Sequence, residues 1–249
     1  MQPNNLILYP AAALVGMVIG SFLGLVADRW PRGEAIAAGR SRCRSCNVSL
    51  RAWDLVPIAS YCLQGGRCCH CGVRLPIDLL LAELGGAVVA IIALHSASDF
   101  PGALAFGLFS GALLLLALLD ARHFWLPDAV TLPLVLAGLA SIVVLPEPGL
   151  ANRLVGAVLG YSSLALVRLA YRIMRGHEGL GGGDPKLLAA IGAWLGATML
   201  PAIVLGASLL ALVWAGMMHL RGGGVGRMTV IPLGTPLAIA AIAALAWTG

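Results

Sequence analysis

The chain has little charge and almost no lysine. Only 11% of its 249 residues are charged and 59% are hydrophobic, whereas a soluble domain has roughly 25% charged residues. Fifteen of its sixteen basic residues are arginines, and Lys186 is the only lysine. A chain so poor in charge cannot cover a water-exposed surface, so its composition excludes an ordinary soluble domain and favours a membrane protein.

Three further absences argue against particular kinds of active site, cross-link and targeting segment. The chain has no His-Glu-x-x-His segment, which disfavours a zinc metalloprotease. The six cysteines lie only between Cys43 and Cys71, which excludes a disulfide framework spread over the fold. The first apolar run has no basic region before it and no small-residue cleavage site, so we interpret it as a retained helix and not a signal peptide.

Apolar runs of membrane-spanning length recur along the chain. The first covers about 6–27, and a polar segment of about 28–77 follows it. Seven more runs lie at about 78–97, 101–120, 127–146, 151–174, 185–199, 201–219 and 230–248. The sequence therefore predicts an all-α polytopic membrane protein with about eight transmembrane helices, of which one short run could be re-entrant. Its predicted domains are a first helix at 1–27, a cysteine module at 28–77 and a seven-helix domain at 78–249.

The basic residues indicate an orientation, because cytoplasmic loops are enriched in Lys and Arg. If the cysteine module is cytoplasmic, 15 of the 16 basic residues lie on that side and only Arg153 lies opposite. Both termini are then on the outer side. The arginines of the module lie near anionic headgroups, which makes membrane lipid a predicted partner. Aromatic residues are not interleaved with them, so nucleic acid is not predicted.

Two acids stand at the ends of apolar runs. Asp120 closes the third predicted helix and Asp184 opens the sixth, on the same side of the membrane. They can meet only if these two helices pack side by side. An ionisable group at such a position is a candidate functional site. The glycines before Asp184 predict irregular backbone at depth, which is tolerated only inside protein or beside a water-filled cavity.

Two carboxylates that share a site can hold one proton, activate a water molecule and protonate a leaving group, as in aspartyl proteases. The sequence therefore predicts Asp120 and Asp184 as a catalytic pair, supported by Gly181, Gly183 and Lys186. Several alternatives remain open. Each acid alone could be a helix cap or an interfacial charge, and Asp184 before Pro185 is typical of an N-cap. The pair could also relay ions in a transporter or channel, or the chain could be a non-catalytic assembly factor.

The cysteines form two Cys-x-x-Cys pairs with 21 residues between them. Four thiolates at this spacing predict a structural, tetrahedral zinc site, with these ligands: Cys43, Cys46, Cys68 and Cys71. A redox-active or metal-free pair is the alternative, and His70 could replace one thiol. Cys62 and Cys69 lie outside the pairs. Glu83, inside the second predicted helix, is expected to form hydrogen bonds within the helix bundle.

Together these motifs resemble the bacterial type IV prepilin peptidases, aspartyl proteases of the GxGD type. The resemblance covers nearly the whole chain and rests on residues 20–24, 29–32, 41–46, 53–58, 66–71, 82–84, 120–128 and 181–188. It implies that Asp120 and Asp184 cleave the basic leader of prepilins or pseudopilins after a glycine, at the cytoplasmic face of the inner membrane. Pro185 departs from the small β-branched residue expected in relatives.

Relatives with the cysteine module are typically bifunctional, so the resemblance also implies methylation of the new N-terminus with S-adenosylmethionine. No residue pattern in the chain marks a methyl-donor pocket, and Gly181-Gly182-Gly183 is not a dinucleotide-binding fingerprint because no strand precedes it. The residues that bind the cofactor are therefore unknown from the sequence. The identity of the processed pilins and the oligomeric state are also left open.

Overall fold

The computed structural model describes residues 5–36, 41–176, 180–220 and 232–247. Within these ranges the regular elements are helices, accompanied by two isolated β-bridges. The all-α prediction is confirmed. The chain divides into two compact units, Met1–Leu94 and His95–Gly249. The predicted domain bounds at 27 and 77 stay a prediction.

Nine α-helices occur in the described ranges: α1 Asn5–Arg29, α2 Ala59–Leu63, α3 Ile77–Ser96, α4 Phe100–His123, α5 Asp128–Ala140, α6 Leu150–Arg175, α7 Asp184–Leu195, α8 Leu200–Leu220 and α9 Gly234–Trp247. The eight predicted membrane helices correspond to α1 and α3–α9. The short α2 lies in the cysteine module and was not predicted. Five helices (α1, α3, α4, α6 and α8) are long and apolar enough to cross a membrane.

In the first unit, α1 and α3 approach each other backbone to backbone. A Cβ on Gly16 would collide with the carbonyl of Gly86, and a Cβ on Gly20 would collide with the carbonyl of Ala82. These small residues are four apart on each helix, which is the spacing of the close-packed pairs found in membranes. The pairing depends on glycine, since any larger residue would separate the helices.

In the second unit, α6 and α7 pack in the same way. A Cβ on Gly156 would meet the carbonyl of Gly192, and one on Gly160 would lie 2.5 Å from the carbonyl oxygen of Leu188. With 12 residues, α7 is about 18 Å long and shorter than the ~30 Å hydrocarbon core. Apart from Lys186, every residue of α7 is buried. Its backbone is therefore enclosed by protein.

Arg153, the exception to the predicted charge bias, is fully buried in the second unit. Its guanidinium donates hydrogen bonds to five acceptors at 2.6–3.1 Å: the carbonyls of Gly138, Leu145, Glu147 and Pro148 and the hydroxyl of Ser141. The C-terminal carbonyls of a helix have no partner within the helix, and Arg153 binds one of them, that of Gly138 in α5, together with carbonyls of the chain that follows α5. This basic residue thus has a structural role.

Candidate active site and cysteine cluster

An aromatic stack sets the register between α4 and α7. Phe109 of α4 stacks on Trp194 of α7 with ring centroids 4.8 Å apart and an interplanar angle of 14°. Asp120 lies 11 residues after Phe109, and Asp184 lies 10 residues before Trp194. At 1.5 Å per residue these separations are about 16.5 and 15 Å. The two distances are nearly equal and the charges of the two acids interact, so α4 and α7 run antiparallel and the acids lie at the same end.

Both carboxyl groups are buried, with 5% of each residue exposed. They are close enough for their charges to interact. Leu126, in the connection between α4 and α5, lies next to the glycine before Asp184 and next to the start of α9, which contacts Asp120. A Cβ on Gly183 would lie 2.5 Å from Leu126 Cβ, and one on Gly234 would lie 2.9 Å from Leu126 Cδ1. The structure thus brings together two acids that the chain separates by two helices.

Asp184 lies at a helix start built from glycine. Gly183 occupies the N-cap position and Asp184 is the first residue of α7. The N-cap considered for Asp184 from the sequence is therefore Gly183, one residue earlier. The backbone amide of Gly181 donates a hydrogen bond to the Asp184 carboxylate. A Cβ on Gly181 would lie 3.0 Å from Asp184 Oδ2, so any larger residue at this position would crowd that oxygen.

Asp120 is held by a residue that the sequence analysis missed. Its Oδ2 accepts hydrogen bonds from the backbone amide of Thr235 at 2.7 Å and from the Thr235 hydroxyl at 3.0 Å. That hydroxyl also lies 3.1 Å from the carbonyl oxygen of Ala117. Thr235 is in the first turn of α9, so Asp120 satisfies an amide at the start of that helix. The available signal was Thr235-Pro236 before an apolar run, which is typical of a helix start.

Lys186 binds both oxygens of Asp128, at 2.6 and 2.7 Å. Asp128 is the first residue of α5, so this ion pair joins the start of α5 to the start of α7. Lys186 is one of the residues that the sequence predicts to support the acid pair. In the structure it acts on the position of the α7 N-terminus, two residues from Asp184.

The four predicted cysteines form one cluster in the first unit. Their sulfur atoms all lie within 4.8 Å of one another, and Sγ of Cys43 lies 3.8 Å from Sγ of Cys71. Four sulfurs at about 2.3 Å from a tetrahedral zinc ion would be about 3.8 Å apart. The cluster therefore fits a metal ion with these four ligands. Cys62 and Cys69 are exposed and lie outside it.

Two similar turns present the cysteines. The amide of Cys43 donates to the carbonyl of Val48 at 3.0 Å, and the amide of Cys68 donates to the carbonyl of Val73 at 2.9 Å. Residues 42 and 49 form a β-bridge, as do residues 67 and 74. Asn47 and Gly72, each next to the second cysteine of its pair, have φ of 56° and 70°. Residues 42–49 and 67–74 are thus a structural repeat that the sequence analysis did not identify.

The backbone of these turns favours metal-binding thiolates. Amides of Cys46 and Ser45 donate to the Cys43 sulfur and lower the pKa of its thiol to about 6. Amides of Cys71 and His70 lower the pKa of the Cys68 thiol in the same way. Because only the thiolate is a metal ligand, these amides prepare the site for a cation.

Two family models match the chain, and the boundary between them lies close to the boundary between the two compact units. A family model described as the bacterial peptidase A24 N-terminal domain matches residues 14–97, and a model of the type IV leader peptidase family matches residues 107–216. No solved structure matches the chain.

Curated relatives match most of the chain. A protein of Neisseria gonorrhoeae named prepilin leader peptidase/N-methyltransferase is 35% identical over 241 residues, which cover 86% of this chain and 83% of the relative. Proteins of the same name from Pseudomonas aeruginosa (35% identical, covering 94% and 88%) and Dickeya chrysanthemi (39% identical, covering 81% and 80%) are also similar. The ranges matched by the two family models contain the cysteine cluster and the acid pair, respectively.

Proposed function

Because the chain belongs to the type IV leader peptidase family, we propose that it is a membrane aspartic endopeptidase that cleaves the leader of prepilin-type substrates with Asp120 and Asp184. One observation carries this proposal: two buried carboxyl groups from distant helices lie at the same level and within electrostatic range. Paired carboxyl groups perform peptide hydrolysis without a metal. The family membership does not favour a transporter, a channel or an assembly factor.

In the proposed reaction, one carboxylate of the pair takes a proton from a water molecule, and the water oxygen attacks the scissile carbonyl carbon. The other carboxyl group donates its proton to the carbonyl oxygen. When the tetrahedral intermediate collapses, the C–N bond breaks and the proton held by the pair passes to the leaving amine. The products are the leader with a new carboxylate and the mature protein with a new N-terminus.

The neighbouring residues position these two acids. Gly181 and Gly183 leave space beside Asp184, where a Cβ would approach Asp184 Oδ2 or Leu126. Lys186 fixes the start of α7 through Asp128. We assign these three residues to support of the active site. Their roles follow from the contacts around the helix start.

The second activity is methylation of the new N-terminus. The N-terminal family domain and the names of the relatives support it. S-adenosylmethionine is the proposed methyl donor, and it would supply the methyl group as an electrophile. The four-cysteine cluster is proposed to hold zinc in a closed structural site, which leaves no open coordination position for catalysis. We therefore assign the metal to folding of the module and not to either reaction.

The proposed location is the bacterial inner membrane, with the cysteine module on the cytoplasmic side and both termini on the periplasmic side. The distribution of arginine supports this orientation. Thiolates also persist in the reducing cytoplasm. Prepilins or pseudopilins, whose basic leaders remain in the cytoplasm, would then meet the acid pair from that side.

The test is cleavage of a purified prepilin by variants in detergent. Asp120→Asn and Asp184→Asn preserve size and should each lower kcat by at least about 10²-fold, because each removes one acid–base group. Asp99→Asn is the matched control, since Asp99 caps the opposite end of α4 by accepting from the amide of Gly102 at 2.8 Å. Mass spectrometry with S-adenosylmethionine present should show the mature N-terminus with one added methyl group. Cleavage at the control rate by a folded Asp184→Asn protein would refute the proposed pair.

A further inference from the structure

A buried glutamate fixes part of the cysteine module against the first pair of membrane helices. Glu83 lies in α3, and both of its carboxylate oxygens accept hydrogen bonds. The Ser21 hydroxyl of α1 donates at 2.9 Å and the backbone amide of Ile58 donates at 2.7 Å. Ile58 has a φ of 60°, which a β-branched residue rarely adopts. Glu83 thus has the hydrogen-bonding role that the sequence predicted, and it also holds the module at Ile58.

This contact lies well inside the membrane helix. Glu83 comes six residues after Ile77, where α3 begins, so it lies about 9 Å from that end along the helix axis. The 20 residues of α3 span about 30 Å, which is the thickness of the hydrocarbon core. The start of α3 therefore lies near the boundary between headgroups and hydrocarbon. Ile58 lies on the hydrocarbon side of this boundary.

The chain around Ile58 exposes apolar side chains. In residues 53–63, which we call the wedge, Trp53 is 79% exposed, Val56 is 47% exposed and Leu63 is 87% exposed. Exposed tryptophan next to aliphatic residues is typical of segments at the membrane–water interface. At the depth set by Glu83, these side chains would face lipid and not water.

The cysteine module that contains the wedge is rich in arginine. The one acid of the wedge, Asp54, accepts hydrogen bonds from the amide of Arg51 at 2.9 Å and from the Gln64 side chain at 2.8 Å. Asp28, at the end of α1, forms ion pairs with Arg32 and, at 2.5 Å, with Arg44. Further arginines lie on the cysteine turns: Arg42, Arg67 and Arg74. Each arginine near an anionic membrane surface contributes about 1 kcal/mol to binding.

From these contacts we propose that the wedge inserts into the bilayer. Trp53, Val56 and Leu63 enter the headgroup region and the outer hydrocarbon of the leaflet next to the module. The surrounding arginines bind the headgroups of anionic phospholipids. Glu83 sets the depth by fixing Ile58 to the membrane helices. The cysteine module is then part of the membrane surface and not a domain tethered above it.

Two native cysteines offer probe positions for a test. Cys62 lies in the wedge and Cys69 lies in the second cysteine turn, and both are exposed and outside the four-cysteine cluster. In the Cys69→Ser variant an environment-sensitive fluorophore labels Cys62, and in the Cys62→Ser variant it labels Cys69. The variant that carries both substitutions measures how much fluorophore reacts with the four-cysteine cluster. The full-length, zinc-loaded proteins are placed in nanodiscs of phosphatidylglycerol and phosphatidylcholine. Some lipids carry a nitroxide on the upper acyl chain.

We expect the nitroxide to quench the probe at Cys62 several-fold more than the probe at Cys69, and iodide in the water to quench them in the reverse order. Leu63→Glu, in the Cys69→Ser background, should reduce the nitroxide quenching at Cys62. Replacing phosphatidylglycerol by phosphatidylcholine should also reduce it. Equal nitroxide quenching of both probes would overturn the proposal. The proposal would also be overturned if iodide quenches the Cys62 probe and added prepilin stops this quenching, because the wedge would then be a peptide-binding surface.

Discussion

Removal of the Thr235 hydroxyl should slow peptide cleavage without changing substrate binding. The hydroxyl lies 3.0 Å from Asp120 Oδ2, and the Thr235 amide lies 2.7 Å from the same oxygen. Thr235→Val keeps the amide and nearly the same volume but deletes the hydroxyl. A hydrogen bond to a charged group contributes about 1.5–3 kcal/mol. If all of that is lost in the transition state, kcat falls by about 10- to 150-fold.

We expect the decrease in kcat to lie near the lower limit of this range, because the backbone amide of Thr235 still donates a hydrogen bond to Asp120 Oδ2. The assay is steady-state cleavage of a purified prepilin, with kcat and KM measured separately. Thr235→Ser retains the hydroxyl and should cleave at close to the wild-type rate. KM should change little in both variants, since the contacts of the Thr235 hydroxyl are to Asp120 and Ala117 and not to a substrate-binding residue.

A structural effect must be separated from a catalytic one. Thr131 is also buried, and its hydroxyl lies 3.3 Å from the carbonyl oxygen of Pro127 in α5. Thr131→Val therefore shows what the loss of a buried hydroxyl costs in thermal stability alone. The reasoning fails if Thr235→Val is folded and cleaves at the wild-type kcat, or if its loss of rate merely equals that of Thr131→Val.

Three further outcomes follow from the structure. Arg153→Met should lower the free energy of unfolding in detergent by about 3 kcal/mol or more, because buried carbonyls lose their donor; an unchanged melting temperature would contradict this. Cys68→Ser should abolish the single bound zinc measured by mass spectrometry, whereas Cys69→Ser should retain it. Lys186→Met should lower stability by less than about 1 kcal/mol, because the ion pair is partly exposed, but should lower kcat more than it raises KM. Asp128→Asn should have the same effect, and a full wild-type kcat in both variants would exclude a positioning role.

The helices could be predicted because membrane-spanning runs carry a strong local signal. Each apolar run is visible without knowledge of its neighbours, and all eight predicted runs form helices. The packing could not be predicted in the same way. Gly16 and Gly86 become partners only when α1 meets α3, and many other glycines of the chain have no such contact. Pairing of small residues depends on geometry between helices, which a single sequence does not contain.

The candidate site also has features that could be predicted from the sequence and features that could not. Asp120 and Asp184 were found because an acid beside a long apolar run is unusual, and the four cysteines were found because their spacing is regular. Thr235 was missed because a threonine at a helix start is ordinary, and its partner lies 115 positions away. Lys186 stands out as the only lysine, but its partner Asp128 lies 58 positions away. Chemical type and local context can thus be predicted, whereas the partner of a polar group requires the fold.

The short length of α7 connects the helix packing to the position of the acid pair. A carboxyl group at the start of a 12-residue helix lies below the membrane surface unless the helix is displaced along the membrane normal. Irregular backbone at that depth must be enclosed by protein or water. Gly156 and Gly160 of α6 allow close contact with α7, while the aromatic stack fixes its far end to α4. The acid pair is therefore placed by packing of small residues around one enclosed helix. That enclosure excludes lipid from carboxyl groups at the depth of hydrocarbon, as the proposed hydrolysis requires.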